Sequence, residues 1–502
     1  MDPSAAANQD EADGSRGGLA NLPWLPVLGV AVAVVAGLLV LAPAYGFHRD
    51  ELYFIVTGRH PALGYVDQPP VTPLLSAAAV GLLGLEPFAV RLLPALIVGA
   101  CVVLVAAIAR EMGGSRRAQV VAALVLGVSG FLAAGHLGVT ATYDLGFWAV
   151  ILWLATRLLR GADPRLWLAV GAVAGLGLLN KHLVLFLIGG LFVGLAVHLR
   201  DVLRTRWPWL GALVALLIWS PNLAWQAAHG FPQLAMAGGI AGNGLENRVM
   251  LLPQLLLLAG PLLFPVSVLG LWRLARNPAM HPFRALGTAF LAILAVVLLS
   301  GGKSYYVAGA LPVLMAAGAI GVDAWLERGR SRIPVFGAAT AGSLAVVALL
   351  TLPVLPAATL AATPIPDLYP ENAEQVGWPE LVETVRGAVA ALPPEMRARA
   401  VILTGNYGEQ GALELLGDGL PAAYSGHNSL GDYGPPPDDH DVVILVGWWS
   451  NPWWSGMLGG CERVATIDNA AGMPNQEQGA GVAVCTTLRP WSVIWDRFRH
   501  TN

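Results

Sequence analysis

Long apolar runs separated by short polar breaks occupy residues 25–352. The first, 25–45, has about the 20 residues that an α-helix needs to cross a bilayer. Similar runs near 88–109, 118–135, 145–160, 165–180, 183–199, 208–226, 250–272, 285–301, 305–325 and 333–352 predict about eleven spans in all. Two segments interrupt the rhythm. Residues 46–87 form a long loop whose apolar stretch, 71–85, suits a helix lying along the membrane surface. Residues 227–249 are rich in Gly and Asn and read as a mobile connection. Residues 1–20 are polar, lack the basic opening of a secretory signal, and read as a disordered cytoplasmic tail.

The pattern changes after residue 353. Prolines at 353, 356, 364, 366 and 370 predict a stiff linker over 354–370. Residues 371–502 then combine helical periodicity at 379–392 and 410–416 with short apolar strands at 400–404, 442–446, 464–467 and 482–485. That is the pattern of a small α/β domain. The expected fold class is therefore a mostly α, polytopic membrane domain over 21–353, followed by an α/β domain over 371–502.

Composition sharpens this reading. Of 502 residues, 56% are hydrophobic and 12% charged, about half the charge of a soluble domain. Such a chain is neither a soluble enzyme nor a disordered one, and it lacks the basic surplus of a nucleic-acid-binding domain. Residues 1–364 hold 15 acidic and 22 basic side chains, and 365–502 hold 17 and 7, balances of +7 and −10. With a cytoplasmic N-terminus and one crossing per run, 15 arginines fall on inner loops, against four arginines and two lysines on outer ones. This is the bias of the positive-inside rule. An odd number of crossings then places the acidic C-terminal domain outside the plasma membrane. There Cys461 and Cys485 either pair or remain two buried thiols.

Scarce charge at a membrane face points to function. The outer-face set is Asp50, Glu51, Asp67, Asp144, Lys181, His182 and Lys303, with Arg91 and His136 nearby, drawn from five loops. Any one of them is ordinarily a solvated or snorkelling group; together they suit a bundle that holds a polar headgroup. Asp50 could take a proton from a hydroxyl, or join Asp67 in binding a divalent metal ion. The same Asp50-Glu51 pair also suits the cap of the helix that follows. Lys181, in Asn180-Lys181-His182, and Lys303, after Gly301-Gly302, suit a phosphate. Gly302-Lys303-Ser304 is no nucleotide loop, because no glycine stands five residues before Gly302 and no strand precedes it. A lipid phosphate is the anion that remains. Trp448, Trp449, Trp453 and Trp454 stack on carbohydrate or pack a core.

In chain order, the acidic pair Asp50-Glu51, Gly64-Tyr65-Val66-Asp67-Gln68-Pro69-Pro70, Arg91, Asp144, Leu179-Asn180-Lys181 and Gly302-Lys303-Ser304-Tyr305-Tyr306 resemble the GT-C glycosyltransferases. The nearest groups are the family 39 protein-mannosyltransferase-like enzymes and the bacterial aminoarabinose transferases. The likeness covers roughly residues 25–320. It implies the GT-C fold and an inverting transfer of a hexosyl or pentosyl group from a polyprenyl-phosphate carrier to a glycan, lipid or protein acceptor on the outer face. By position, it implies Asp50 as catalytic base, Asp144 as the second acidic site, and Lys181 and Lys303 on the donor phosphate, with Arg91 as a further phosphate contact; Glu51, beside Asp50, joins the candidate catalytic set. Asp67, Gln68, His182, Tyr305 and Tyr306 complete the implied substrate-binding set. One departure stands out: Gln68 occupies the place where the aminoarabinose group has a phosphate-facing lysine. The rival readings are a transporter or flippase of a lipid-linked or amphipathic solute, and a non-catalytic envelope protein. Transporters place charges near the midplane and carry repeats, and neither feature is seen in this sequence.

Overall fold

The computed structural model describes residues 19–242, 244–447 and 456–501. Most of the polar N-terminal tail, and Trp448, Trp449, Trp453 and Trp454, lie outside the described residues. The chain is mostly helical. Among the described residues, six helices are long and apolar enough to cross a membrane: Trp24–Leu41, Pro87–Glu111, Trp207–Ala228, Pro278–Ser300, Ser304–Glu327 and Arg332–Thr351. Gly244–Ala259 and Phe264–Arg276, bent by 97° to each other, add a seventh if they count as one span.

Fewer helices pass this length test than the eleven apolar runs suggested. The runs at 165–180 and 183–199 yield helices of only 13 and 15 residues, Leu166–Leu178 and Val184–His198. The run at 118–135 is divided into Arg116–Gly127 and Phe131–His136. Apolar composition marks a buried helix without fixing its length. The short helices pack closely through small residues, as membrane helices do. A Cβ added to Gly171 would stand 2.0 Å from the carbonyl oxygen of Gly211.

Among the described residues of 227–249, most are helical, in Pro232–Gly242 and the start of Gly244–Ala259. Glycine weakens a helix without forbidding it, and in apolar surroundings the backbone groups must bond within their own segment. The segment 46–87 holds two helices, Arg49–Gly58 and Val71–Leu83. They cross where a Cβ on Gly58 would meet the Pro73 carbonyl oxygen at 2.0 Å.

The proline-rich stretch is folded onto the rest of the chain. Leu360, Ile365 and Ala373 bury with Tyr45 and Met473, and the Tyr45 hydroxyl donates to the Leu355 carbonyl at 2.7 Å. Beyond it lies a five-stranded sheet of order β2-β1-β3-β5-β4. Its strands are β1 Ala400–Thr404, β2 Ala423–Ser425, β3 Val442–Val446, β4 Leu458–Thr466 and β5 Gly481–Thr487. β2, β1 and β3 are parallel, while β5 and β4 are antiparallel additions. β2, three residues long, has no expected counterpart, and β4 begins earlier than the strand expected at 464–467. Cys461, on β4, is bonded to Cys485 on β5.

Candidate functional site

The site begins at the helix Arg49–Gly58. His48 caps it: the Asp50 amide stands 3.2 Å from His48 Nδ1, and the His48 amide donates to Glu51 Oε2 at 2.8 Å. Two successive acidic residues on one turn then face different surroundings. Glu51 is fully buried. It accepts from Arg91 Nε at 3.0 Å, Arg91 Nη2 at 2.8 Å, the Gly138 amide at 2.8 Å and the His48 amide. Four bonds fill a carboxylate's acceptor capacity. Arg91 is equally engaged, since its Nη1 donates to the Ala42 carbonyl at 2.6 Å and its Nη2 to the Gly46 carbonyl at 2.8 Å. In this structure Glu51 and Arg91 thus bind each other and the backbone around them, and the pair ties the loop to the bundle.

Asp50 points the other way, toward Asp67. Asp50 Oδ1 accepts from the Tyr407 hydroxyl at 2.8 Å, and Asp67 Oδ1 accepts from the Tyr53 hydroxyl at 2.6 Å. The two phenol rings lie 4.8 Å apart, so the aspartates form adjacent, similarly built units. Ser429 joins them: its hydroxyl bonds Asp67 Oδ1 at 3.4 Å and accepts from the Val66 amide at 2.8 Å. Burial raises the Asp67 carboxyl to about 6; the Tyr53 bond opposes this and the charge of Asp50 adds to it. Tyr407 and Ser429 belong to the C-terminal domain, and sequence reasoning missed both. The available signal was the Asn406-Tyr407-Gly408-Glu409 capping pattern, which marks a helix start but not its neighbour.

A strap from the linker closes the flank. The Pro370–Gln375 turn brings Glu374 Oε1 to 3.2 Å from Arg49 Nη1 and Glu371 Oε2 to 2.9 Å from His48 Nε2. Burial alone would lower the His48 pKa. The Glu371 hydrogen bond and the charges of Asp50, Glu371 and Glu374 prevail and raise it to about 9. A histidine pKa raised above its unfolded value gives stability that is complete below about pH 6.5 and lost as pH rises through about 9. The thermal midpoint of the purified protein is thus expected to fall from pH 7 to 10, and to fall less in His48→Asn. Equal declines in both proteins would remove His48 as the cause.

The two lysines come from other segments of the chain. Lys181 Nζ donates to Thr140 Oγ1 at 3.3 Å and lies 5.2 and 5.9 Å from the rings of Tyr305 and Tyr306. Lys303 is exposed just before Tyr305, with Gly301 supplying the left-handed turn ahead of it (φ 68°). Among the described residues, no carboxylate lies within ion-pair distance of either lysine. Asp144 is buried, and Lys181 and Trp148 act on it electrostatically. Tyr305 lies within electrostatic reach of Asp50, Asp144, Lys303 and Glu371. His182 Nε2 lies 3.2 Å from Asn222 Oδ1, with its ring against Trp219. Gln68 is buried with its Nε2 unpartnered.

A nearly wholly apolar cavity of about 310 Å³ lies between Leu166–Leu178, Val184–His198 and Trp207–Ala228. Leu178 and Trp219 line the end near His182. For a metal, Asp50 and Asp67 are the two carboxylates at hand. Among the described residues, no group of three His, Cys, Asp or Glu side chains is gathered for one. A hard cation would need water and substrate oxygens to complete its shell.

With this geometry in view, the chain can be compared with known proteins. Residues 67–225 match the model of the dolichyl-phosphate-mannose-protein mannosyltransferase family. No curated protein sequence matches. Among solved structures, the chain is similar to ArnT from Cupriavidus metallidurans bound to undecaprenyl phosphate, at 16% identity and a TM-score of 0.58 over 91% of this chain and 97% of that one. It is also similar to the arabinofuranosyltransferase AftD from mycobacteria, at 14% identity and a TM-score of 0.51 over 93% and 42% of the two chains. Archaeal oligosaccharyltransferase AglB from Archaeoglobus fulgidus, in complex with an inhibitory peptide and a dolichol-phosphate, aligns at 12% identity and a TM-score of 0.50 over 84% and 69%. The chain is a multi-pass membrane protein with the GT-C fold of membrane glycosyltransferases.

Proposed function

We propose that this protein is a glycosyltransferase that moves a sugar from a polyprenyl-phosphate carrier to an acceptor hydroxyl at the outer membrane face, with inversion. The observation that carries this reading is one juxtaposition. An apolar cavity lies between the helices joined by the Asn180-Lys181-His182 connection, Lys181 has no carboxylate within ion-pair distance among the described residues, and the Asp50 and Asp67 carboxylates stand together on the first loop. A prenyl chain needs the first, its phosphate the second and an acceptor hydroxyl the third. The undecaprenyl phosphate in ArnT and the dolichol-phosphate in AglB support a lipid carrier. No relative named above is a transporter, and that reading is set aside. The orientation expected from the arginine bias, with the C-terminal domain outside and about eleven crossings in all, belongs to this proposal.

In this mechanism Asp50 takes the proton of the acceptor hydroxyl as its oxygen attacks the anomeric carbon. The bond from that carbon to the phosphate oxygen breaks, and the phosphate leaves with the electron pair. Lys181 and Lys303 meet the charge that develops there, an interaction that grows toward the transition state. Asp67 and Asp144 border the sugar, and Gln68, His182, Tyr305 and Tyr306 line it. A divalent ion held by Asp50 and Asp67 would add charge stabilisation; no step above depends on it.

The test is turnover of a radiolabelled polyprenyl-phosphate sugar by the purified protein in liposomes. Lys181→Met is expected to lower kcat/KM by about tenfold or more, the usual scale for one preorganised electrostatic contact. Sugar release unchanged in Lys181→Met would remove that lysine from the phosphate site. No turnover by the wild-type chain with any lipid-linked sugar would sink the reading.

A further inference from the structure

We infer that the C-terminal domain is a working part of the catalytic centre, with Tyr407 as the positioning residue for Asp50; this rests on the transferase reading above. The segment Asn406-Tyr407-Gly408-Glu409-Gln410-Gly411 can be decoded residue by residue. Asn406 caps the helix Tyr407–Leu416, accepting from the Glu409 amide at 2.9 Å. Glu409 Oε2 returns to the amides of Asn406 at 3.1 Å and Gly405 at 2.7 Å. This reciprocal cap sets the direction in which the first helical residue, Tyr407, leaves the backbone.

The two glycines set the distance. A Cβ on Gly408 would stand 3.0 Å from the Arg49 Cβ, and one on Gly411 would stand 2.8 Å from the Leu52 Cβ. Only residues without side chains let this helix settle on Arg49–Gly58 so closely. The Tyr407 ring is then held between Arg49, whose guanidinium lies 4.8 Å from its centroid, and the rings of Tyr53 at 4.8 Å and His427 at 4.7 Å. Its hydroxyl is delivered to Asp50 Oδ1.

A carboxylate at the second position of a helix can rotate about its side-chain bonds. A general base must instead meet its proton at hydrogen-bond distance in one orientation. Tyr407 restricts that rotation by occupying one oxygen. Ser429, also from this domain, acts in the same sense on Asp67 and Tyr53, donating its amide to the Tyr53 hydroxyl at 3.3 Å. Neither aspartate is fully set without the C-terminal domain.

Tyr407→Phe is the discriminating variant, because it keeps the ring and its contact with Arg49 and removes one O–H. The expected result is a kcat lowered by about tenfold or more, with the KM for the lipid-linked sugar and the thermal midpoint unchanged. Wild-type kcat, or a raised donor KM with kcat intact, would overturn the inference. Gly411→Val pushes the helix off Leu52 and is expected to reproduce the loss of kcat; a folded Gly411→Val protein with full kcat would likewise overturn it. A silent wild-type chain in the same liposomes sinks the transferase reading itself, whereas an active wild type with an unaffected Tyr407→Phe sinks this inference alone.

Discussion

Asp50→Asn is expected to abolish sugar transfer, by about 100- to 10,000-fold for loss of a general base, while the protein inserts and folds as before. The physical case rests on what the substitution keeps. Asparagine retains the shape of aspartate and an acceptor oxygen for the Tyr407 hydroxyl, which bonds Asp50 at 2.8 Å. It suits the first turn of a helix, and the His48 cap beside it uses only the backbone of this position. What it loses is the capacity to take a proton. Among the described residues, the other carboxylate oxygen of Asp50 has no hydrogen-bond partner, so it is the atom left for a substrate. Transfer rates for wild type and variant, measured at equal amounts of folded protein, decide the matter. An Asp50→Asn protein with full activity would exclude Asp50 as the base.

Arg91→Ala is expected to act in the opposite sense, on folding and not on chemistry. Removing one member of a buried ion pair strands the other as an unpaired charge and typically costs about 3–5 kcal/mol. Here the stranded group would be Glu51, fully buried, and the carbonyls of Ala42 and Gly46 would lose their donor too. Most proteins have a total stability of about 5–15 kcal/mol, so little folded protein is expected to accumulate. Thermal unfolding in detergent and yield in the membrane fraction measure this. A stable Arg91→Ala protein with a raised KM for the donor lipid would support the phosphate-binding role that the position of Arg91 suggests. Glu51→Gln separates the effects further, because it keeps the size of Glu51 and removes only its charge.

These two variants mark where sequence reasoning reached its limit. Asp50 and Glu51 are neighbours of like chemistry, and both join the candidate catalytic set. Their fates part because one turn of helix sends Glu51 toward Arg91 and Asp50 toward Asp67. The cations divide similarly: the sequence groups Arg91, Lys181 and Lys303 on one face, yet among the described residues only Arg91 is ion-paired with a buried carboxylate. Glycine-rich residues 227–249 are a separate case. Their composition signals a loop in water, whereas in an apolar setting the backbone satisfies itself by forming a helix.

What the sequence by itself determined is the membrane chain, its α/β C-terminal domain, the gathering of scarce charge on one face and the first-loop motif around Asp50 and Asp67. Those features follow from composition and local order, which act over one helix turn or one apolar run. What only the tertiary structure decided is which charges are already paired and which residues complete the site. Tyr407 stands 357 positions from Asp50, and no periodicity links them. Their bond exists because Gly408 and Gly411 let two helices from separate parts of the chain come into contact, a matter of packing that one-dimensional spacing does not encode.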